Sequence, residues 1–324
     1  MIGFILMINI ICVGQNYLFQ SQTFFKPYLT NPALAGFPNN GDLSLIYNKK
    51  LIGFDNSPNS QVISVDYPFS KNQIGIGMNG FKEQNGAISF VGFESTFSYH
   101  LIKEEKEPKS LTAISFGLSA SYNQYSIDRL RLMMGNSDNN IFNDESKFFN
   151  AYPSANIGFN FFSHGFNLGF SAYNIIPNVS SVFTNESDIQ NALFTFITSG
   201  LDLQMTENLK IKPNFIFRTQ KNADYQLDIM LDVSFYLNAG SQLSLSPVFR
   251  NYVFEFSGKS KALGLNTMFI KHPLRVGYQF DLPLSATINF SNSGHILMIG
   301  YILTAKPKMN KKDVKGKIDN PSNK

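Results

Sequence analysis

The sequence predicts an all-β protein, a transmembrane antiparallel β-barrel of about 14 strands, and three observations lead there. Period-two alternation of apolar and polar residues recurs along almost the whole chain, broken by clusters of Gly, Asn, Asp, Ser and Pro. Several alternating segments exceed the five or six residues of an ordinary globular strand and reach the roughly 9–11 that a tilted strand needs to cross a bilayer. Finally, only 15% of the 324 residues are charged while 43% are hydrophobic, which is poor in charge for a soluble enzyme. No stretch approaches the roughly 18 unbroken apolar residues of a membrane helix. A membrane sheet must close, because lipid offers unpaired backbone groups no water to bond.

Taken in chain order, the first element is the apolar run Ile2–Val13, the length of a signal-peptide core. Small residues in Cys12-Val13-Gly14 predict cleavage before Gln15, so residues 1–14 are read as a signal peptide, although the usual basic start is missing. Cys12 as a lipoprotein cysteine is the other reading, and Asn9-Ile10-Ile11 lacks the small residue that such a site carries just before the cysteine. In either case the single cysteine lies in or beside the targeting segment, which excludes disulfides and Cys-based chemistry from the mature chain. Residues 15–40 form an N-terminal segment expected at the periplasmic mouth. In its "YLTNPALAG", Pro32 disfavours helix at Asn31 and Gly36 permits a sharp change of direction.

The barrel is expected over residues 41–304. Its strands are read within Asp42–Asn48, Gln61–Tyr67, Gln73–Lys82, Ala87–Ile102, Ser110–Tyr125, Tyr152–Phe162, Gly165–Ile175, Asn191–Gln204, Leu209–Arg218, Asp224–Leu237, Gln242–Arg250, Ala262–Phe269, Leu274–Asp281 and His295–Leu303. The number is even, as bacterial barrels require. In "YQLDIMLDVSFYL", Tyr225, Leu227, Ile229, Leu231, Val233, Phe235 and Leu237 share one face, while Asp228 and Asp232 lie on the other. A charge facing the bilayer midplane costs on the order of 2–4 kcal/mol, so the apolar set must face lipid. Asp228 and Asp232 then point inward beside Lys212, Arg218 and Arg250 of neighbouring strands. That opposition predicts a lumen charge network, either an interior brace or a substrate path.

Connections sort by length. Even-to-odd turns such as 163–165, 206–208, 238–240 and 271–272 are short, whereas Ser126–Ala151, Ile176–Gln190, Asn251–Lys261 and Leu282–Gly294 are long, as surface loops would be. "KEEKEPK" at 103–109 is the charged exception among the short set. The loop Ser126–Ala151 carries Asp138, Asp144 and Glu145 beside Phe142, Phe148 and Phe149, a mixture suited to protein contact and a candidate cargo loop. Beyond the barrel, residues 305–324 form a basic tail. Between Lys306 and Lys324 stand seven Lys and two Asp, a net +5 against +4 for the whole chain. With few apolar residues it is read as disordered, and it could reach an acidic partner or lipid headgroups.

No Gly-rich phosphate loop, His-rich metal spacing or nucleophile elbow is visible. His100, His164, His272 and His295 are far apart, at strand ends or turns, and as turn or lumen residues they need no function. Nothing points to catalysis, a cofactor or a metal, and the expectation is a non-enzyme.

Several blocks carry a resemblance: "LTNPALAG" (29–36) followed by "LSLIYN", "YPSANIGFNFF" (152–162), "HGFNLGFSAYNI" (164–175), "LRVGYQFD" (274–281) and "SGHILMIGY" (293–301). In this order and spacing, from about Phe19 to Leu303, the chain resembles the PorP/SprF family, outer-membrane proteins of the type IX secretion system in Bacteroidetes. The resemblance makes Asn31, Pro32, Ala33 and Gly36 a family motif. It implies a barrel that helps large surface proteins, including gliding adhesins, to be exported and retained, with partners in adhesin-like cargo, periplasmic type IX components and outer-membrane lipid. Nucleic acid is not among them. Two departures stand out: Ile296 follows His295 where the family usually has an acidic residue, and the strand after Tyr47 lacks a Trp common there. A FadL-like transporter of a hydrophobic small molecule is the alternative, since that group shares fourteen strands and an early Asn-Pro-Ala. It would need an apolar path, which a charged lumen opposes. An outer-membrane enzyme is the third possibility, and the chain lacks the clustered nucleophile and base it would require.

Overall fold

Alternation in the sequence becomes a two-faced wall in the computed structural model, which describes residues 23–37, 41–52, 56–70, 72–104, 111–128, 147–176, 179–181, 188–190, 193–220, 225–237, 240–254, 258–284 and 293–303. Its strands are β1 (Asp42–Lys49), β2 (Asn59–Phe69), β3 (Ile74–Asn85), β4 (Ile88–Glu104), β5 (Leu111–Asp128), β6 (Lys147–Ser163), β7 (Phe166–Tyr173), β8 (Val179–Ser181), β9 (Asp188–Gln190), β10 (Phe194–Leu201), β11 (Leu203–Thr206), β12 (Leu209–Gln220), β13 (Tyr225–Leu237), β14 (Ser241–Phe254), β15 (Gly258–Lys271), β16 (Leu274–Pro283) and β17 (Gly294–Ile302). Every pairing is antiparallel; apart from β7, which pairs with β10 across the β8–β9 ribbon, and β10, which also pairs with β12, the wall strands pair in chain order, and β1 closes the ring by pairing with β17. Because β10 and β11 both pair with β12, they are one wall strand interrupted at Asp202, and the barrel has 14 strands. Closure leaves no wall strand with an unpaired edge, which lipid would penalise.

The burial pattern of β1 shows the division. Asp42, Ser44, Ile46 and Asn48 face inward and are buried, while Leu43, Leu45 and Tyr47 stay exposed on the outer wall. On β13, Asp228 is 4% exposed and Leu231 43%. Phe93, Phe97, Tyr99 and Leu101 of β4 and Leu297, Ile299 and Tyr301 of β17 continue the apolar outer band. β4, β5 and β6 run 17, 18 and 17 residues, more than the bilayer needs.

Besides the break at Asp202, four details depart from the sequence reading. The stretch Asn251–Lys261, expected as a long loop, is mostly strand, with β14 and β15 paired as far as Phe254 and Gly258. The stretch 176–190, expected as loop, contains the small ribbon β8–β9. The β5–β6 hairpin runs further than expected, so Phe148 and Phe149 belong to β6, opposite Ile127 and Ser126, rather than to a loop; Phe142, Asp138, Asp144 and Glu145 lie outside the described residues. Most important, the N-terminal segment is packed inside the short-turn end of the barrel: Phe25, Tyr28, Leu29, Asn31, Ala33 and Ala35 are all at most 2% exposed, and its wall contacts fall on Asp66, Ser98, Gly117 and Arg275. The residues read as signal peptide and as basic tail are outside the described set.

Candidate functional site

Two prolines shape the inner segment. Pro27 and Pro32 each occupy the first position of a short 3-10 turn, Pro27–Leu29 and Pro32–Leu34, where a missing N–H is harmless. Between them the Asn31 side chain accepts from the Ala33 backbone N–H at 3.0 Å and donates through Nδ2 to the Phe159 carbonyl of β6 at 3.0 Å. One side chain thus holds the turn and ties it to the wall. Gly36, at φ +67°, supplies the left-handed residue that sends the chain back toward β1.

The wall supplies partners for the segment's backbone, which would otherwise be buried unsatisfied. Ser171 Oγ donates to the Thr30 carbonyl at 2.5 Å, Tyr173 OH to that of Leu29 at 3.1 Å, and Ser98 Oγ to that of Ala35 at 2.8 Å. His100 Nε2 lies 3.0 Å from the Ala35 carbonyl, which can only accept, so the proton sits on Nε2 and Nδ1 accepts from Ser115 Oγ at 2.8 Å. Glycines admit the segment: a Cβ at Gly117 would stand 2.2 Å from Ala33 N and from Pro32 C, and one at Gly75 1.9 Å from the Ala35 oxygen. Phe25, Tyr28, Leu29 and Ala35 join Ile46, Val62, Phe81, Ile296 and Met298 in one apolar cluster. Ile296, where the chain departs from its resemblance, is therefore buried in the contact between segment and wall.

A buried ion cluster anchors the segment's start. Asp42 and Asp66 are direct cross-strand partners on β1 and β2, both facing inward. Lys26 Nζ pairs with both carboxylates, and Arg275 Nη2 reaches Asp42 at 2.5 Å and the Phe25 carbonyl at 3.3 Å. The Gly36 N–H donates to Asp66 at 2.6 Å, so one carboxylate holds both ends of the segment. Two cations and two anions balance, and all four side chains are at most 8% exposed. Burial lowers the Lys26 pKa to about 8, against the opposing pull of Asp66.

The five residues expected to form one lumen network separate into smaller groups. Arg250 binds Asp228 at 3.2 Å and also Asp281, which the sequence reading did not single out. Lys212 binds Asp202 at 3.2 Å, and Lys210 reaches the same carboxylate at 2.6 Å. Although Lys212 and Asp232 are register partners, Asp232 takes its hydrogen bonds from Ser246 at 3.1 Å and Ser234 at 3.3 Å. Arg218 lies 5.4 Å from the Phe194 ring. Arg218 also borders a chamber lined in part by Phe81, Phe90, Tyr173, Phe196 and Glu94. Glu94 accepts from Asn156 at 2.5 Å and from Asn79 and Thr96 at 3.3 Å each.

Sequence reasoning passed over Lys26, Asp42, Asp66 and Arg275, and it read His100 as a turn or lumen residue without a function, whereas its ring lies against the Ala35 carbonyl of the segment. A usable signal was present: Asp42 and Asp66 share the inward parity of adjacent strands, and two facing carboxylates require a cation.

This geometry defines a class, a closed transmembrane β-barrel carrying its own N-terminal segment in the lumen. The family model described as "Type IX secretion system membrane protein PorP/SprF" matches residues 13–301, and the chain belongs to that family. Among solved structures it is similar to the CymD monoaromatic hydrocarbon channel, with TM-score 0.53, 10% identity, and coverage of 88% of this chain and 92% of that one. A FadL homologue of Pseudomonas aeruginosa aligns at TM-score 0.44 with 9% identity over 84% of this chain and 92% of that one. The outer membrane protein Omp33 of Acinetobacter baumannii aligns at 0.43 with 11% identity over 81% and 97%. Likeness at such identities concerns the fold alone. Comparison with curated proteins found no match. Family and fold are those of a secretion-system membrane barrel, and the protein resides in the outer membrane.

Proposed function

We propose that this barrel is an accessory protein of type IX secretion that supports export and surface retention of large adhesin-like proteins, acting through its two rims. The observation that carries the reading is the docked inner segment. Its ends are held by Asp66, its carbonyls are taken up by Ser98, His100, Ser171 and Tyr173, and it fills space that a transporter would keep for a ligand. Lumen ion pairs around Arg250 and Lys212 add to this, since an apolar small molecule would have to displace them.

In this reading the long-loop end, including Phe142, Phe148 and Phe149, meets the secreted protein outside the cell. The short-turn end and the basic tail at 305–324 face the periplasmic components, with Asn31, Pro32, Ala33 and Gly36 holding the segment behind that rim. The test is affinity purification of the tagged barrel from its native outer membrane. Recovery of a very large surface protein is expected. A bound fatty acid or similar apolar molecule, with no protein partner, would establish a FadL-like transporter instead.

A further inference from the structure

The outer wall carries one feature that an evenly greased barrel surface lacks. Across β17, β1, β2 and β3, the outward residues Leu45, Tyr47, Ile63, Leu297 and Ile299 rim a groove of about 490 Å³, within the size range of small-molecule sites. Its floor passes Gly80, whose outward position holds no side chain: a Cβ there would meet only Ile63 Cγ2 at 3.6 Å and the Gly92 oxygen at 4.0 Å. The notch is therefore open, and nothing in the packing prevents a larger residue from filling it.

Charge marks one end of the groove. Lys82, two residues beyond Gly80 toward the long-loop end, is exposed on the same face and lines the groove with Gln61, its register partner. Lys49, on the outward face of β1 two residues beyond Tyr47, adds a second cation one rung further toward the same end. No Asp or Glu points outward from the described parts of these four strands: Asp42, Asp66 and Glu83 are all buried inside. Lysines facing lipid are stable only where the ammonium reaches the headgroup layer, so Lys49 and Lys82 set the height of the interface.

We propose that this groove binds a single phosphate-bearing lipid of the leaflet at the long-loop end, with one acyl chain in the notch over Gly80 and its phosphate between Lys82 and Lys49. Positive charge without a competing carboxylate selects an anionic headgroup. The apolar notch directly below selects a chain attached to it.

Native mass spectrometry of the full-length barrel in a non-ionic detergent tests this, with dimyristoyl phosphatidylglycerol titrated against dimyristoyl glycerol, which has the same chains and no phosphate. One phosphatidylglycerol is expected to stay bound under conditions that strip the neutral lipid. Each of Lys82→Gln and Lys49→Gln should weaken phosphatidylglycerol about fivefold, the contribution of one basic residue near an anionic surface, and leave dimyristoyl glycerol unchanged. Gly80→Leu should weaken both lipids, whereas Lys271→Gln, on the outer wall at the opposite end, should alter neither. Heat-modified gel mobility verifies that each variant is an assembled barrel. Equal retention of the two lipids by the native barrel, unchanged phosphatidylglycerol binding in both lysine variants, or a protein chain in place of lipid that Gly80→Leu displaces would each overturn the proposal.

Discussion

Asp42 and Asp66 face each other across the β1–β2 ladder inside the barrel, and Lys26 from the N-terminal segment bonds to both. The wall thus carries two facing carboxylates that its strands neutralise only in part. The segment completes the balance, with Arg275 contributing from β16.

Lys26→Met should release the segment while the barrel still assembles, because Lys26 donates to Asp42 and Asp66 but takes no part in the ladders that join β1 to β2 and β17. Removing one partner of a buried ion pair costs about 3–5 kcal/mol. Hydrogen exchange should show residues 23–37 losing protection, and adding Asp66→Asn should recover part of it by removing one stranded carboxylate. Unchanged protection in Lys26→Met would mean that apolar packing alone holds the segment.

Gly117→Val attacks the same docking by shape. Its Cβ would stand 2.2 Å from segment backbone atoms, which cannot move aside as a flexible side chain can. Protease sensitivity at 23–37 should rise, whereas Gly294→Ala, with its nearest neighbours 3.7 Å away, should behave as the native protein.

Leu231→Arg and Asp232→Asn, one residue apart on β13, should separate the two faces. The first places a cation toward the bilayer, at about 2–4 kcal/mol, and should abolish heat-modifiable mobility. Asp232→Asn keeps an acceptor for Ser234 and Ser246 and should lose about 1 kcal/mol, leaving assembly intact. Equal assembly of both would refute the facing.

An epitope inserted at Asn139 tests the orientation. Antibody should reach it on intact cells; labelling only after lysis would invert the topology proposed here.

Deleting residues 305–324 removes no wall strand, so insertion should be normal. Cargo on the cell surface should fall if the tail makes an electrostatic contact in the periplasm, one that salt screens over a Debye length of about 10 Å at 0.1 M. Normal cargo levels would show the tail to be a solvated end.

The wall was legible in the sequence, because period two is a local property: whether Leu231 or Asp232 meets lipid follows from parity, and which parity faces lipid follows from the energetic cost of a charge in the bilayer. All fourteen expected strands have counterparts in the structure, with differences confined to ends, the break at Asp202 and the ribbon β8–β9. The contents of the barrel were not legible. Lys26 lies 40 positions from Asp66 and Arg275 is separated from Phe25 by 250, so no spacing rule links them. Nor could parity tell whether Arg250 would choose Asp228 alone or share itself with Asp281. Alternation says which side chains enter the lumen; which of them touch depends on strand stagger and on a segment that folds back into the space, and those are set only when the ring closes.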